Sequence, residues 1–98
     1  MEKNKHTVYM LRCGDGTLYT GYTNHLSHRL QMHRTGKGAK YTRGRGPLTL
    51  VYEEFFSNKS DAMVREYEIK QYRRDKKCEL IKQYEQKGKN KNANTEEL

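Results

Sequence analysis

Residues 7–22, T-V-Y-M-L-R-C-G-D-G-T-L-Y-T-G-Y, constrain the fold more than any other stretch of the chain. Two short runs, 7–12 and 18–22, are rich in β-branched, aromatic and aliphatic residues, with Gly14-Asp15-Gly16 between them. Strand formers on either side of a Gly/Asp cluster predict a β-hairpin. The loop length then decides which side chains share a face. A three-residue loop at 14–16 sets Leu11 opposite Tyr19 and Tyr9 opposite Gly21, so that Tyr9, Tyr19 and Gly21 point to one side. A two-residue loop shifts the parity and puts the tyrosines on opposite faces. Composition does not choose between the two.

Ninety-eight residues make one domain with a small core. Only 33% of the residues are hydrophobic, so the eight tyrosines must supply much of the buried area. Twenty basic residues against twelve acidic ones give a net charge of +8. Residues 87–98 hold three lysines and two glutamates, so the excess belongs to the part expected to fold, residues 1–86. Such an excess fits a polyanionic partner, nucleic acid before others, although it also serves solubility. Residues 87–98 have no apolar periodicity and are expected to be a disordered tail. Cys13 and Cys78 form no paired motif and are expected as free thiols in a reducing cytoplasm. Residues 1–6 have no apolar core of the secretory kind, no run reaches membrane-spanning length, and no repeat is present. No membrane partner is expected, and nothing in the chain indicates an oligomeric state.

Beyond the hairpin, residues 24–35 have helical spacing, with Thr23 or Asn24 as the N-cap and Leu26 and Leu30 on one stripe. Arg29 and His33, four apart, fall along one edge of that stripe. Spacing alone makes them an ordinary solvated pair. His25, His28 and His33 lack a cysteine or acidic partner at ligand spacing, which argues against zinc. Residues 34–45 carry five basic residues, no acidic ones and three glycines. Lys37, Lys40, Arg43 and Arg45 are candidates for phosphate contacts, and Tyr41 for stacking on a base or sugar. The alternative is a basic loop that touches nothing in particular. Residues 48–56 read as the third strand, with Leu48, Leu50 and Tyr52 alternating with Thr49 and Val51. The sheet is expected to be covered by helices on one side. Asp61 suits a first helical turn, and the helix after it has a wide apolar arc of Ala62, Met63, Val64, Tyr67, Ile69 and Tyr72. Spacing does not choose between Glu66 and Glu68 as the functional carboxylate; Glu68 has Arg65 or Lys70 as an exposed partner. Asp75 is placed to cap a last helix over 76–86 that packs through Leu80, Ile81 and Tyr84.

Thr7-Val8-Tyr9, then Tyr19-Thr20-Gly21, then Arg29 and Glu66, in that order, resemble the GIY-YIG nuclease domain, in its small stand-alone bacterial form. The resemblance spans about residues 6–86, with Thr7, Val8 and Thr20 departing from the two triplets. It implies an α+β fold, a three-stranded antiparallel sheet flanked by helices in the order β-β-α-β-α-α. It also implies that both tyrosines line one pocket, which selects the three-residue loop, and it selects Glu66 over Glu68. His33 matches a histidine of some members, while the asparagine that some members carry beyond the glutamate has only Gln83 in its vicinity.

The activity implied is endonucleolytic hydrolysis of phosphodiester bonds, in DNA before RNA, at a site of Tyr9, Tyr19, Arg29, His33 and Glu66. Hydrolysis needs an activated water and stabilised charge on the phosphoryl and leaving oxygens. A single Mg²⁺ or Mn²⁺ held by Glu66 and waters would supply part of this; the acid-poor folded part has no carboxylate cluster of the two-metal kind. Arg29 would meet the scissile phosphate. By analogy with the family, Tyr19 is the base and Tyr9 orients it, with His33 a proton carrier or phosphate contact. Gly21 would let the substrate backbone approach. The competing function is a binding module that keeps the fold and the basic face without turnover. No second domain for sequence specificity is expected in a chain this short, so recognition of shape or ends, or a partner protein, is expected to supply targeting.

Overall fold

The computed structural model describes residues 5–89. The elements run β1 (His6–Arg12), β2 (Leu18–Thr23), α1 (Leu26–Arg34), a 3₁₀ turn (Lys40–Thr42), β3 (Thr49–Phe56), α2 (Lys59–Gln71) and α3 (Arg74–Lys89). The sheet is three-stranded and antiparallel, in the order β2-β1-β3. This is the α+β architecture expected.

The hairpin closes through the three-residue loop. The Cys13 amide donates to the Thr17 carbonyl at 2.8 Å, and Gly16 carries a positive φ of 89° that other residues resist. Leu11 consequently faces Tyr19 and Tyr9 faces Gly21.

Helices cover both faces of the sheet, not one. Tyr9, Leu11 and Cys13 pack with Leu26 and Leu30 of α1 and with Leu48. Val8 and Met10, pointing the other way, pack with Ala62 and Ile69 of α2 and Ile81 of α3. β1 is the middle strand, and Val8, Tyr9, Met10 and Leu11 are all fully buried. The unbroken apolar run V-Y-M-L is the pattern of a strand covered on both sides.

β3 does not alternate simply. Met10 pairs with Tyr52 and Leu11 with Leu50, so Val51 is an extra residue in the ladder. This bulge returns Leu48 and Leu50 to the α1 face while Val51 and Tyr52 serve the α2/α3 face. The expected grouping of Leu48, Leu50 and Tyr52 on one face is thereby broken.

The wide apolar arc expected of α2 is also not buried. Only Ala62 and Ile69, seven apart, are buried in the core, with Tyr72 half-buried against it, whereas Met63, Val64 and Tyr67 are exposed. A polar network completes the docking: Arg65 donates to Glu54 at 3.0 Å, to Glu68 at 3.1 Å and to the Tyr72 hydroxyl at 3.3 Å, while the Tyr52 hydroxyl donates to Glu54 at 2.6 Å. Burial, then the Glu54 contact, pushes the Tyr52 phenol up to about 12, so it remains a donor. Asn58 caps α2 by accepting from the Asp61 amide at 2.8 Å. The cap of α1 is His25, one residue beyond those expected; its ring accepts from the His28 amide at 3.4 Å, and Thr23 accepts from the His25 amide.

Asp75 lies in the first turn of α3, and Ile81, Leu80 and Tyr84 pack down as expected. The helix runs to Lys89, so residues 87–89 of the expected tail are helical; the remainder of that tail, residues 90–98, lies outside the described residues. Cys13 and Cys78 are both free. Among the described residues no helix is long and apolar enough to cross a membrane.

Because only one narrow stripe of α2 is buried, Ile69→Ala is expected to lower unfolding stability by about 2–5 kcal/mol. Val64→Ala, on the exposed arc, should stay within about 0.5 kcal/mol. Urea denaturation of both variants measures this; equal losses would contradict the orientation of α2.

Candidate functional site

Tyr9 anchors the site from the middle of the central strand. Its ring leans across the neighbouring strand toward Gly21, and a Cβ built there would lie 2.7 Å from the Tyr9 hydroxyl and 2.9 Å from the Tyr19 ring. Gly21 is therefore required by the two tyrosines. The space expected for a substrate backbone above it is taken up by their rings. Tyr9 and Tyr19 stand with ring centroids 6.2 Å apart.

α1 brings the next two groups. Leu26, Leu30 and His33 follow one another at helical spacing and are all buried, so His33 continues the apolar stripe rather than bordering it. Arg29, half-buried, directs its Nε to the Tyr9 hydroxyl at 3.4 Å. His33 Nε2 lies 2.9 Å from the same hydroxyl, and the His33 ring meets Tyr19 edge-on at 5.4 Å.

The basic loop closes over the imidazole. Thr42 Oγ1 lies 3.0 Å from His33 Nδ1, and Gly38 lies against the ring, where a Cβ would collide with it. His33 is left 3% exposed with both nitrogens engaged by the protein, which places it as a support for Tyr9. Sequence reasoning missed Thr42, Gly38 and a third residue, Asp15, which ion-pairs with Arg45 at 2.6 Å. Thr17, through hydroxyl and amide, and then Arg45 hold the Asp15 carboxyl at about 2. Arg45 also donates to the Tyr41 carbonyl and lies over the Tyr41 ring at 4.7 Å. Its guanidinium thus fastens the loop to the hairpin turn instead of standing free for a phosphate. Lys37, Lys40 and Arg43 do point to solvent, without an acidic partner among the described residues. Tyr41 is exposed beside Tyr19, at 5.9 Å between centroids.

Burial pushes the Tyr9 phenol well above its ordinary range, against the opposing pull of the Arg29 hydrogen bond. Tyr9 therefore keeps its proton at neutral pH. Burial, and after it the Arg29 charge, holds His33 down at about 4, so the imidazole is neutral.

Among the described residues no hydrogen bond or ion pair joins Glu66 to this group. Glu66 projects from α2, its side chain only 14% exposed, and pairs with Lys70 Nζ at 3.2 Å. Glu68 is the exposed partner of Arg65. Among the described residues no three His, Cys, Asp or Glu side chains gather as a metal cage. A single hard carboxylate oxygen is nevertheless a suitable donor for a cation that keeps most of its water, so Glu66 fits a one-ligand role.

The depressed histidine gives a pH signature. Between about 6.5 and about 4 the unfolded chain binds a proton at His33 that the folded protein refuses. Stability is complete above the ordinary histidine value and falls as pH drops through that window. Urea midpoints recorded from pH 7 to 4 should decline, and His33→Gln, less stable at pH 7, should decline less steeply. Parallel curves for the two proteins would contradict the buried neutral imidazole.

A family model described as the GIY-YIG catalytic domain matches residues 5–79. The chain is 63% identical over 82 residues to a UPF0213 protein of Oceanobacillus iheyensis, covering 84% of this chain and 95% of the relative. It is 53% identical over 79 residues to a UPF0213 protein of Staphylococcus haemolyticus, covering 81% and 96%. Among solved structures, it is similar to the solution NMR structure of a UPF0213 protein from Bacillus halodurans, at TM-score 0.54 and 51% identity over 80% of this chain and 83% of that one. A second NMR structure, of a protein from E. faecalis, matches at TM-score 0.61 and 38% identity over 87% and 92%. With a catalytic-domain match over most of its length and two tyrosines, an arginine and a histidine meeting on one face of the sheet, the chain belongs to the GIY-YIG family, a nuclease superfamily whose substrates are nucleic acids.

Proposed function

We propose that the protein is a divalent-metal-dependent endonuclease that hydrolyses phosphodiester bonds in DNA by a one-metal mechanism. The observation that carries this reading is the meeting of Tyr9, Tyr19, Arg29 and His33 beneath a loop that turns Lys37, Lys40 and Arg43 outward. A polyanion drawn to the outer lysines lies close to the guanidinium. Arg29 stabilises negative charge on the phosphoryl oxygens as it develops. Tyr9, protonated and buried, orients the site and is unsuited to be the base. Tyr19, less buried, takes the proton of the attacking water. Glu66 would hold the Mg²⁺ or Mn²⁺ ion, which when bound supplies positive charge to the phosphate and the leaving oxygen. The two free cysteines fit a reducing, cytoplasmic setting, and a partner protein is the proposed source of targeting.

One observation favours a second reading. Glu66 is paired with Lys70 rather than with the tyrosine–arginine group, which suits a binding module that has lost turnover.

Labelled single-stranded, double-stranded and branched DNA, with RNA in parallel, separates the two. The wild type is expected to cut DNA with Mg²⁺ or Mn²⁺ and not with EDTA. Arg29→Ala should lower the rate by about 100-fold or more, and Glu66→Gln should abolish the response to metal. Cleavage that survives both substitutions would falsify the assignment of Arg29 and Glu66 to the site; tight binding without cleavage by the wild type selects the binding module, and preferential cutting of RNA replaces DNA as substrate.

Electrostatic binding has its own test. Replacing Lys37, Lys40 and Arg43 together by alanine should flatten the slope of log K against log salt on duplex DNA, by about 0.9 for each phosphate no longer neutralised. An unchanged slope would remove this loop from the interface.

A further inference from the structure

Thr42 stands at the inner end of the hydrogen-bond series that reaches Tyr9. Its hydroxyl has one proton, which goes to the Ala39 carbonyl at 3.0 Å within the 3₁₀ turn. Toward His33 Nδ1, also at 3.0 Å, the same oxygen is an acceptor, so Nδ1 carries the imidazole proton. A neutral imidazole protonated on Nδ1 has a bare Nε2. The Tyr9 hydroxyl, 2.9 Å from that nitrogen, therefore donates to it. Arg29 Nε has only a proton to offer, so at the other side the Tyr9 oxygen accepts. Every bond runs one way, from Arg29 to Tyr9 to His33 to Thr42 to the Ala39 carbonyl.

We propose that Thr42 is a positioning residue: its hydroxyl fixes the Nδ1–H tautomer of His33 and so turns the Tyr9 proton inward, leaving lone-pair density of the Tyr9 oxygen toward Arg29 and Tyr19. The opposite tautomer would have His33 donate to Tyr9. The phenolic proton would then have to swing out toward the Arg29 N–H, donor against donor, and toward Tyr19. A Tyr9 oxygen that accepts can take the proton of the neighbouring, less buried Tyr19 hydroxyl and leave the Tyr19 lone pair free toward the attacking water. A phenol that donates would occupy that lone pair. Thr42 is 3% exposed and tied into the turn, so it cannot swing away to solvent. The hydrogen-bond direction stands on this geometry alone; its catalytic consequence rests on the nuclease reading.

The test uses the full chain labelled with ¹⁵N-histidine, with His33→Gln identifying the His33 signals. Two-bond proton–nitrogen correlation spectra at pH 7 report which ring nitrogen is protonated. Wild type and Thr42→Ser, which keeps the hydroxyl, are expected to show Nδ1–H. Thr42→Val, which keeps the shape without the hydroxyl, is expected to move to Nε2–H or to a mixture. Nε2–H in the wild type, or unchanged Nδ1–H in Thr42→Val, overturns the proposal, and the wild-type result stands even if the valine variant fails to fold. On DNA, Thr42→Val should lower kcat by about 10-fold or more with KM unchanged, and Thr42→Ser should restore it. A shifted tautomer with unchanged kcat overturns the catalytic consequence. A tautomer series that follows expectation in a protein that cuts no substrate upholds the role of Thr42 and removes the nuclease reading instead.

Discussion

A phenolic hydroxyl sealed inside a small protein costs free energy unless it is hydrogen-bonded, and Tyr9 is fully buried in the middle of the central strand. Two partners satisfy it, Arg29 and His33, both from α1. That requirement ties the helix to the sheet at a fixed rotation, with Leu26 and Leu30 packing below and the two polar side chains reaching the hydroxyl above. His33 in turn needs a partner for its second nitrogen, which obliges the loop after α1 to fold back and deliver Thr42. The Gly14 amide, donating to the Arg45 carbonyl, and the Asp15–Arg45 pair fasten that loop to the hairpin turn. The position of one hydroxyl thus propagates through the helix, the loop and the turn.

The hairpin, the third strand and the helices α2 and α3 can be read from local pattern, because strand formers, turn residues and caps act within a few positions. The register of Tyr9 against Gly21 could not: two loop lengths fitted the composition, and only the resemblance to GIY-YIG nucleases chose between them. The bulge at Val51 was hidden for a different reason. It arises from how β3 pairs with β1, a strand distant in sequence, and leaves no mark on β3 alone. The apolar arc of α2 misled because a three-stranded sheet is narrow and α3 shares the same face, so there is area for Ala62 and Ile69 but not for Met63, Val64 or Tyr67. Thr42 gave no signal, since a threonine in a basic loop has the same local appearance whether it faces water or an imidazole. Glycine 21 was visible as part of a triplet, yet its physical reason is the crowding of two rings and not an opening for a ligand.

The two faces of the sheet divide the labour. The face under α2 and α3 combines an aliphatic core with the Arg65–Glu54–Tyr52–Tyr72 network, and every charged member of that network has an opposite partner. The face under α1 gathers tyrosines, a cation and an imidazole around a smaller aliphatic base, with no carboxylate against Tyr9 or Arg29 among the described residues. Arg29 consequently keeps positive charge that no described residue neutralises, a condition suited to an incoming anion. Glu66 projects from α2, and its pairing with Lys70 compensates a half-buried carboxylate.

The segment between α1 and β3 has two surfaces with opposite demands. Inward, Gly38 and Thr42 must be held close to His33, because a shift of an ångström would break a hydrogen bond at a buried nitrogen. Outward, Lys37, Lys40 and Arg43 repel one another and favour an open loop. Asp15 offsets that repulsion by taking up Arg45, and the Tyr41 ring adds a second contact to the same guanidinium. A bound polyanion would relieve the remaining repulsion and favour the closed arrangement in which Thr42 holds the imidazole. By linkage, an anion that prefers the closed loop stabilises the order of the Tyr9 hydroxyl to the same extent that this order improves anion binding. If Lys37, Lys40 and Arg43 meet phosphate as proposed, that recognition and the orientation of the phenol depend on the packing of the same loop.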